Sequence, residues 1–78
     1  MSEINILAFG QIADITSKRD WKIPDVKNTD EIRRKLEVEF PKLRSMNYMI
    51  AVDKKIISEN VQLEDNSTVA LLPPFSGG

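Results

Sequence analysis

A single long amphipathic helix, set among short strand patterns, limits the folds open to this chain. Its apolar face consists of residues spaced four apart, at i, i+4 and i+8: Ile32, Leu36 and Phe40. Asn28 or Thr29 can cap its start, and Pro41 ends it because proline lacks the N–H that a helix needs. Glu31 and Lys35, four residues apart, predict a favourable ion pair on its surface. The apolar face of this helix needs a sheet to cover it.

Two strand patterns precede the helix. Successive side chains of a strand point to opposite faces of the sheet. In the second half of Glu3–Phe9 the residues on both faces are apolar, which predicts a central strand whose second half is covered on both faces. Gly10 interrupts it, and a short helical turn is predicted at Gln11–Ile15. The second strand, Trp21–Ile23, is stopped by Pro24, which suits an edge or a strand end.

Three more strand patterns follow the helix. Tyr48–Val52 and Lys55–Ile57 predict a hairpin that turns at Asp53-Lys54. Asn66 lies in a polar turn where it can adopt a positive φ, and Thr68–Leu72 is the last strand. With no internal repeat and no linker, these patterns predict one α+β domain, in which one main helix packs across a single mixed sheet.

Composition excludes several classes of function. The chain has no cysteine and no histidine, which removes disulfides, the usual zinc sites and histidine-based catalysis. Its 11 basic and 12 acidic residues leave a net charge of −1, so we expect no nucleic-acid partner, and the basic run Arg33-Arg34-Lys35 is predicted to be a solvated helix face. With no long apolar stretch and no leader pattern, we expect a cytoplasmic protein with no membrane partner.

An active site within the chain is not expected either. The carboxylates show no pairing beyond ordinary surface spacing, and no glycine-rich loop is present that could hold a phosphate. We therefore expect no cofactor and no metal bound by this chain. Any chemistry must use carboxylates, amines, hydroxyls or the chain end.

The last six residues combine a stiff base with a slim tip. Pro73-Pro74 favours an extended course, whereas Gly77-Gly78 has no Cβ to thicken the chain. Six extended residues span at most about 20 Å, enough to leave a globular body and enter a narrow tunnel in another protein. We predict a body at residues 1–72 and an extended tail at residues 73–78. The functional atom is the carboxyl carbon of Gly78, and a bare Gly77 provides access.

The alternation of side chains between the two faces of the sheet also predicts a docking surface. The sheet face under the helix is assigned Ile4, Ile6, Ile57, Val69 and Leu71. The opposite face then carries Phe9, Ile56 and Leu72. Because Leu72 immediately precedes the tail, a partner bound there would receive the chain end. The predicted partner-binding residues are completed by Pro73, Pro74, Phe75 and Ser76.

The chain resembles the small subunit of molybdopterin synthase, a ubiquitin-like β-grasp sulfur carrier. The resemblance is carried by Ile4–Gln11, Ile50-Ala51-Val52-Asp53, Leu63–Val69 and Leu72-Pro73-Pro74-Phe75-Ser76-Gly77-Gly78. It covers nearly the whole chain, and its most specific part is the Pro-Pro-x-Ser-Gly-Gly ending. In two turns the chain departs from the family: Asp53 stands where asparagine is usual, and Asn66-Ser67 replaces a common Gly-Asp.

The resemblance implies a mechanism for Gly78. A terminal carboxylate is an anion at neutral pH and has little electrophilic character, so it must be activated. In the family, a ubiquitin-activating-type adenylyltransferase uses ATP to adenylate the terminal glycine, and sulfur from a persulfide donor displaces AMP to leave a thiocarboxylate. The tail then enters the large subunit of a heterotetrameric synthase and gives its sulfur to cyclic pyranopterin monophosphate. On this reading the chain is a non-catalytic, sulfur-donating subunit.

Three alternatives remain open at this stage. A thiamine-pathway sulfur carrier shares the fold and the Gly-Gly end, but such carriers are usually shorter and lack the Pro-Pro step. A ubiquitin-like protein modifier would finish with Gly78 in an isopeptide bond to a target lysine. A plain interaction module would carry an inert tail.

Overall fold

The computed structural model describes residues 3–74 as a five-stranded mixed sheet with two α-helices and one 3-10 helix. The strands are β1 (Glu3–Ala8), β2 (Asp20–Pro24), β3 (Met49–Val52), β4 (Lys55–Ile57) and β5 (Thr68–Leu72). The helices are α1 (Gly10–Thr16), α2 (Thr29–Glu39) and the 3-10 helix Pro41–Ser45. Within residues 3–74, no helix has both the length and the apolar character to cross a membrane.

The sheet has the strand order β2-β1-β5-β3-β4. β1 and β5 run parallel, and the other neighbouring pairs are antiparallel. This confirms the predicted central first strand, the edge strand that ends at Pro24 and the hairpin of β3 and β4. The two strands that flank α2 in sequence, β2 and β3, are not neighbours. They lie on opposite sides of the β1–β5 pair.

The hydrophobic core lies between one face of the sheet and α2. The predicted face residues Ile4, Ile6, Val69 and Leu71 are fully buried, and Ile57 is half-buried against them. From α2, Ile32 and Leu36 are fully buried, as the i, i+4 spacing predicts. Each such aliphatic side chain stabilises the fold by about 1.5–3 kcal/mol on burial.

The start of α2 is capped from two directions. Asn28 Oδ1 accepts a hydrogen bond from the Glu31 N–H at 3.0 Å, which settles the predicted cap in favour of Asn28. Asn60 Oδ1, from the distant loop after β4, accepts from the Asp30 N–H at 2.9 Å. Two of the four N–H groups that a helix leaves unpaired at its start are thereby satisfied by side chains.

The predicted ion pair between Glu31 and Lys35 is wrong. The Glu31 carboxylate accepts from the backbone N–H of Lys27 at 2.6 Å, and Lys35 Nζ donates to the Pro24 carbonyl at 3.3 Å. The carboxylate turns back over the helix start because an unpaired N–H is available there, as in a capping box. In the part of the chain that the structure describes, the salt bridge present is instead between Lys18 and Glu39, at 4.0 Å.

Two turns carry the departures from the family pattern, and both suit the residues present. Asp53 and Lys54 have φ of 47° and 76°, the left-handed geometry that joins tightly paired antiparallel strands. Asp53 Oδ1 accepts from the Thr68 N–H at 2.9 Å, a bond that an asparagine oxygen would also make. Asn66 has φ of 68°, as predicted. Neither departure therefore disturbs the sheet.

We expect Tyr48 to make the fold less stable at high pH. Its side chain is buried and its hydroxyl donates to Glu37 Oε2 at 2.8 Å. Burial, helped by the Glu37 carboxylate, raises the pKa of Tyr48 from 10.0 to about 12. Between these two values the folded protein keeps a proton that the unfolded chain loses, so stability falls as pH rises through this range.

The control for this prediction is Tyr48→Phe. At neutral pH the free energy of unfolding of the variant should be about 1 kcal/mol lower, because the hydrogen bond is lost. At high pH the free energy of unfolding of the parent protein should fall by about 1–3 kcal/mol, and the variant should lack this fall. Urea unfolding of both proteins at a series of pH values measures the difference. The chain has one tyrosine, so phenolate absorbance reports Tyr48 alone. Equal pH dependence in the two proteins would contradict the assignment.

Candidate functional site

The sheet face opposite α2 carries an apolar row that is buried at Ala51, half-buried at Leu7 and Ala70, and exposed at Ile56. Leu7, Ala70, Ala51 and Ile56 lie directly opposite one another across β1, β5, β3 and β4. The row spans three interstrand gaps, about 14 Å. Leu7 is half-buried and Phe9 is 46% exposed. The predicted covering of the first strand on both faces is therefore wrong, because the short chain supplies one layer of helix and not two.

All three residues predicted for the docking surface lie on this face or at its end. Ile56 is 60% exposed on the edge strand β4. Phe9 follows β1 in an extended conformation, which places its side chain on the side of Leu7. Leu72 is half-buried and opposite Met49. We call the set the sheet patch, and it consists of Leu7, Phe9, Met49, Ile56, Ala70 and Leu72.

Sequence reasoning missed three members of the sheet patch. Leu7 and Ala70 alternate in step with Phe9 and Leu72 along their own strands, so alternation carried a signal for these two, whereas no residue of β3 had been predicted beside Met49. What brings them together is the pairing register, which fixes Ala70 beside Leu7 and Met49 beside Leu72. That register depends on contacts between distant parts of the chain and is not visible within one strand.

The root of the predicted tail adjoins this patch. The Phe9 N–H donates to the Leu71 carbonyl at 3.2 Å, which continues the pairing of β1 with β5 to the end of the sheet. Pro73 is half-buried and Pro74 is exposed. The remaining predicted site residues, Phe75, Ser76, Gly77 and Gly78, lie outside the residues that the structure describes.

Charged residues border the sheet patch near Phe9. A shallow concavity at the end of β1 is lined by Leu7 and Phe9 and, on its polar side, by Asp14, Arg19 and Asp20. An apolar centre with a polar margin is the usual composition of a protein–protein interface. Within residues 3–74, no three acidic side chains gather closely enough to hold a metal ion. The apolar centre and its charged margin suit a docking surface.

A mixed sheet of this order, one main helix across one face and an exposed apolar patch at the root of the C-terminal segment define a ubiquitin-like β-grasp protein. The small archaeal modifier protein 1 of Methanosarcina acetivorans has the same fold, with a TM-score of 0.82 at 16% identity over 100% of this chain and 98% of that one. At this identity the likeness concerns the fold alone.

The chain belongs to the ThiS family, whose model matches residues 6–78. It is 30% identical to a molybdopterin synthase sulfur carrier subunit of Caenorhabditis elegans, over 100% of both chains. It is also 26% identical to a chain in a solved complex of subunits 1 and 2 of molybdopterin-converting factor from Helicobacter pylori, over 97% of this chain and 99% of that one, with a TM-score of 0.73.

Proposed function

We propose that this chain is the sulfur carrier subunit of a molybdopterin synthase, with Gly78 as the residue that carries the sulfur. The observation that supports this most strongly is the end-to-end match, at 30% identity, to a protein of that name in Caenorhabditis elegans. The sheet patch supports it independently. The patch includes Leu72, which immediately precedes the predicted tail, so a partner on the patch would receive the chain end.

The proposed reaction begins with ATP bound to a separate adenylyltransferase. A carboxylate oxygen of Gly78 attacks the α-phosphorus, pyrophosphate leaves, and the carboxyl carbon becomes electrophilic. The terminal sulfur of a persulfide attacks that carbon and AMP leaves with the oxygen. A thiol then cleaves the sulfur–sulfur bond, which yields a thiocarboxylate on Gly78 and a disulfide on the donor. This chain supplies the acyl group and its presentation, and no catalytic side chain.

The proposed acceptor complex is built on the large subunit of the synthase. The Helicobacter pylori structure that this chain resembles is a complex of two molybdopterin-converting factor subunits. We infer that the sheet patch binds the corresponding large subunit and that the tail reaches its active site. There the thiocarboxylate transfers sulfur to cyclic pyranopterin monophosphate. Each carrier delivers one sulfur, so two loaded carriers serve each dithiolene.

The protein-modifier alternative shares the fold but has less support from sequence. Identity to the archaeal modifier is 16%, compared with 30% to the nematode sulfur carrier. In both functions Gly78 is activated as an adenylate, and the two differ in the nucleophile that follows. A persulfide leads to the thiocarboxylate, whereas a lysine amine leads to an isopeptide bond.

Reconstitution tests the proposal. The purified chain is incubated with an adenylyltransferase and large subunit from one organism, ATP, a persulfide donor and cyclic pyranopterin monophosphate. We expect molybdopterin to form only when the chain is present, and preloaded carrier without ATP and persulfide donor should give about half a molecule of product for each loaded chain. Omission of ATP is the control. Lysine conjugates without molybdopterin would favour the modifier function and overturn the proposal.

We further expect the size of the side chain at position 77 to control sulfur transfer. A narrow channel that accepts an extended glycine has no room for branched carbons, and overpacking of this kind costs about 1–3 kcal/mol. Gly77→Val should therefore slow transfer about 10- to 100-fold. The transfer rate of Gly77→Ala should lie between those of the parent protein and Gly77→Val. Single-turnover transfer from preloaded carrier measures the effect. Equal rates for glycine and valine would contradict the narrow-channel argument.

A further inference from the structure

Gly10 holds an unusual backbone conformation where the tail leaves the body. It begins α1 with φ of +57°, a left-handed value that glycine adopts more readily than a residue with a Cβ. A Cβ built on Gly10 would lie 3.1 Å from Cγ of Pro73 and 3.8 Å from its Cβ and Cδ. A Cβ at position 10 would therefore lie closer to the Pro73 ring than almost all real Cβ contacts, and the ring would have to shift by a few tenths of an ångström to accept it.

We propose that Gly10 is a positioning residue for the sulfur-carrying tail, and that its missing side chain forms the seat for the Pro73 ring. The inference rests on the proposed function. It assigns to Gly10 the control of the direction in which residues 74–78 leave the body, although Gly10 is distant from them in sequence and takes no part in the chemistry.

The root of the tail is held at two successive points on one segment. The Phe9 N–H donates to the Leu71 carbonyl at 3.2 Å, and two residues further along the tail the Pro73 ring rests on Gly10. Proline fixes its own φ, so a seated ring leaves few directions open to the chain that follows. Restricting the root raises the fraction of docked carriers whose tail points into the partner, which is preorganisation of the transfer step.

Binding of the partner and orientation of the tail depend on different residues. The sheet patch binds the partner through Phe9 and Ile56, which a methyl group on Gly10 does not remove. Displacement of the Pro73 ring should therefore leave docking affinity unchanged and slow the transfer of sulfur. A merely structural role for Gly10 would instead lower thermal stability without a selective effect on transfer.

A double-mutant cycle tests this inference with Gly10→Ala, Pro73→Ala and the double variant. The strain of alanine at positive φ is present in both backgrounds and cancels, whereas the contact with the ring exists only when Pro73 is present. We expect Gly10→Ala to slow single-turnover transfer about fivefold in the parent protein and less than twofold in the Pro73→Ala background, which is coupling of about 0.5–1 kcal/mol. Within each background, parent or Pro73→Ala, the Gly10→Ala change should alter the affinity for the large subunit less than twofold.

Two further measurements keep the outcomes distinct. Ser17→Val adds strain at φ of 59°, at the other end of α1 and away from Pro73, and should lower the melting temperature without slowing transfer. Proton–proton NOEs between Gly10 Hα and the Pro73 ring should be present in the parent protein and lost in Gly10→Ala.

Failure of the inference and failure of the proposed function give different results. Normal transfer by the parent protein with no coupling in the cycle, or absence of the NOEs, overturns the role of Gly10 and leaves the carrier function standing. Absence of any sulfur loading in the parent protein overturns the carrier function, and the NOEs then decide alone whether the seat exists.

Discussion

Removal of Gly78 is expected to reduce sulfur loading at least about 100-fold while leaving thermal unfolding unchanged. The shortened chain still ends in a glycine carboxylate, but that group stops about 3.5 Å short of the position it must reach in the adenylyltransferase. A misplacement of about 1 Å at a reacting group can cost about 100-fold in rate. Stability should not change because, within residues 3–74, the last core residue is Leu71, seven positions before Gly78 in sequence.

The control for length is Gly78→Ala, which restores the reach and adds one methyl group. We expect it to load more slowly than the parent protein but clearly faster than the deletion variant. Pyrophosphate release and intact mass after incubation with ATP and the sulfur donor follow the two steps separately. A deletion variant that loads sulfur and supports molybdopterin synthesis at the parent rate would exclude Gly78 as the functional residue.

A carboxylate introduced into the sheet patch is expected to weaken binding to the large subunit about 30-fold or more. Burial of an unpaired charge in a dry contact costs at least about 2 kcal/mol. Phe9→Asp and Ile56→Asp are the cleanest variants because these side chains are 46% and 60% exposed, so their replacement removes little from the core. Leu72→Asp should also weaken binding, but Leu72 is half-buried and its loss also affects the sheet.

The chain offers a matched control for this prediction. Val38 is 73% exposed and lies on α2, whereas the sheet patch is on the face of the sheet opposite that helix. Val38→Asp introduces the same charge on the other side of the molecule and should leave binding unchanged. Isothermal titration with the large subunit, and separately with the adenylyltransferase, measures all variants. Folded Phe9→Asp and Ile56→Asp variants with unchanged affinity for both partners would place the docking surface elsewhere.

Elements with strong local signals were predictable from the sequence. α2 has a cap, an apolar stripe and a terminating proline, and these agree on one helix. The hairpin around Asp53 follows from alternation on both sides of a polar pair. In each case the signal lies within about ten consecutive residues, so no knowledge of the rest of the fold is needed.

Features that depend on distant contacts could not be predicted in this way. The 3-10 helix Pro41–Ser45 contains one buried apolar residue, Leu43, and a single residue has no periodicity. Asn60 caps α2 from 30 residues away, and nothing in its neighbourhood indicates this. The pairing of Gly10 with Pro73 likewise needs the parallel register of β1 and β5. The same limitation hid half of the sheet patch, whose members come from four strands.

The chain's intact mass, measured on protein isolated from its native cell, tests the central claim most directly. A carrier in use should be present partly with one oxygen replaced by sulfur, and fragmentation should place the replacement at Gly78. Alkylation should shift that species and leave the unmodified carboxylate unchanged, since a thiocarboxylate is the stronger nucleophile and the chain has no cysteine to react instead. A protein found solely as the carboxylate under conditions of active molybdopterin synthesis, or joined through Gly78 to lysines of other proteins, would contradict the account.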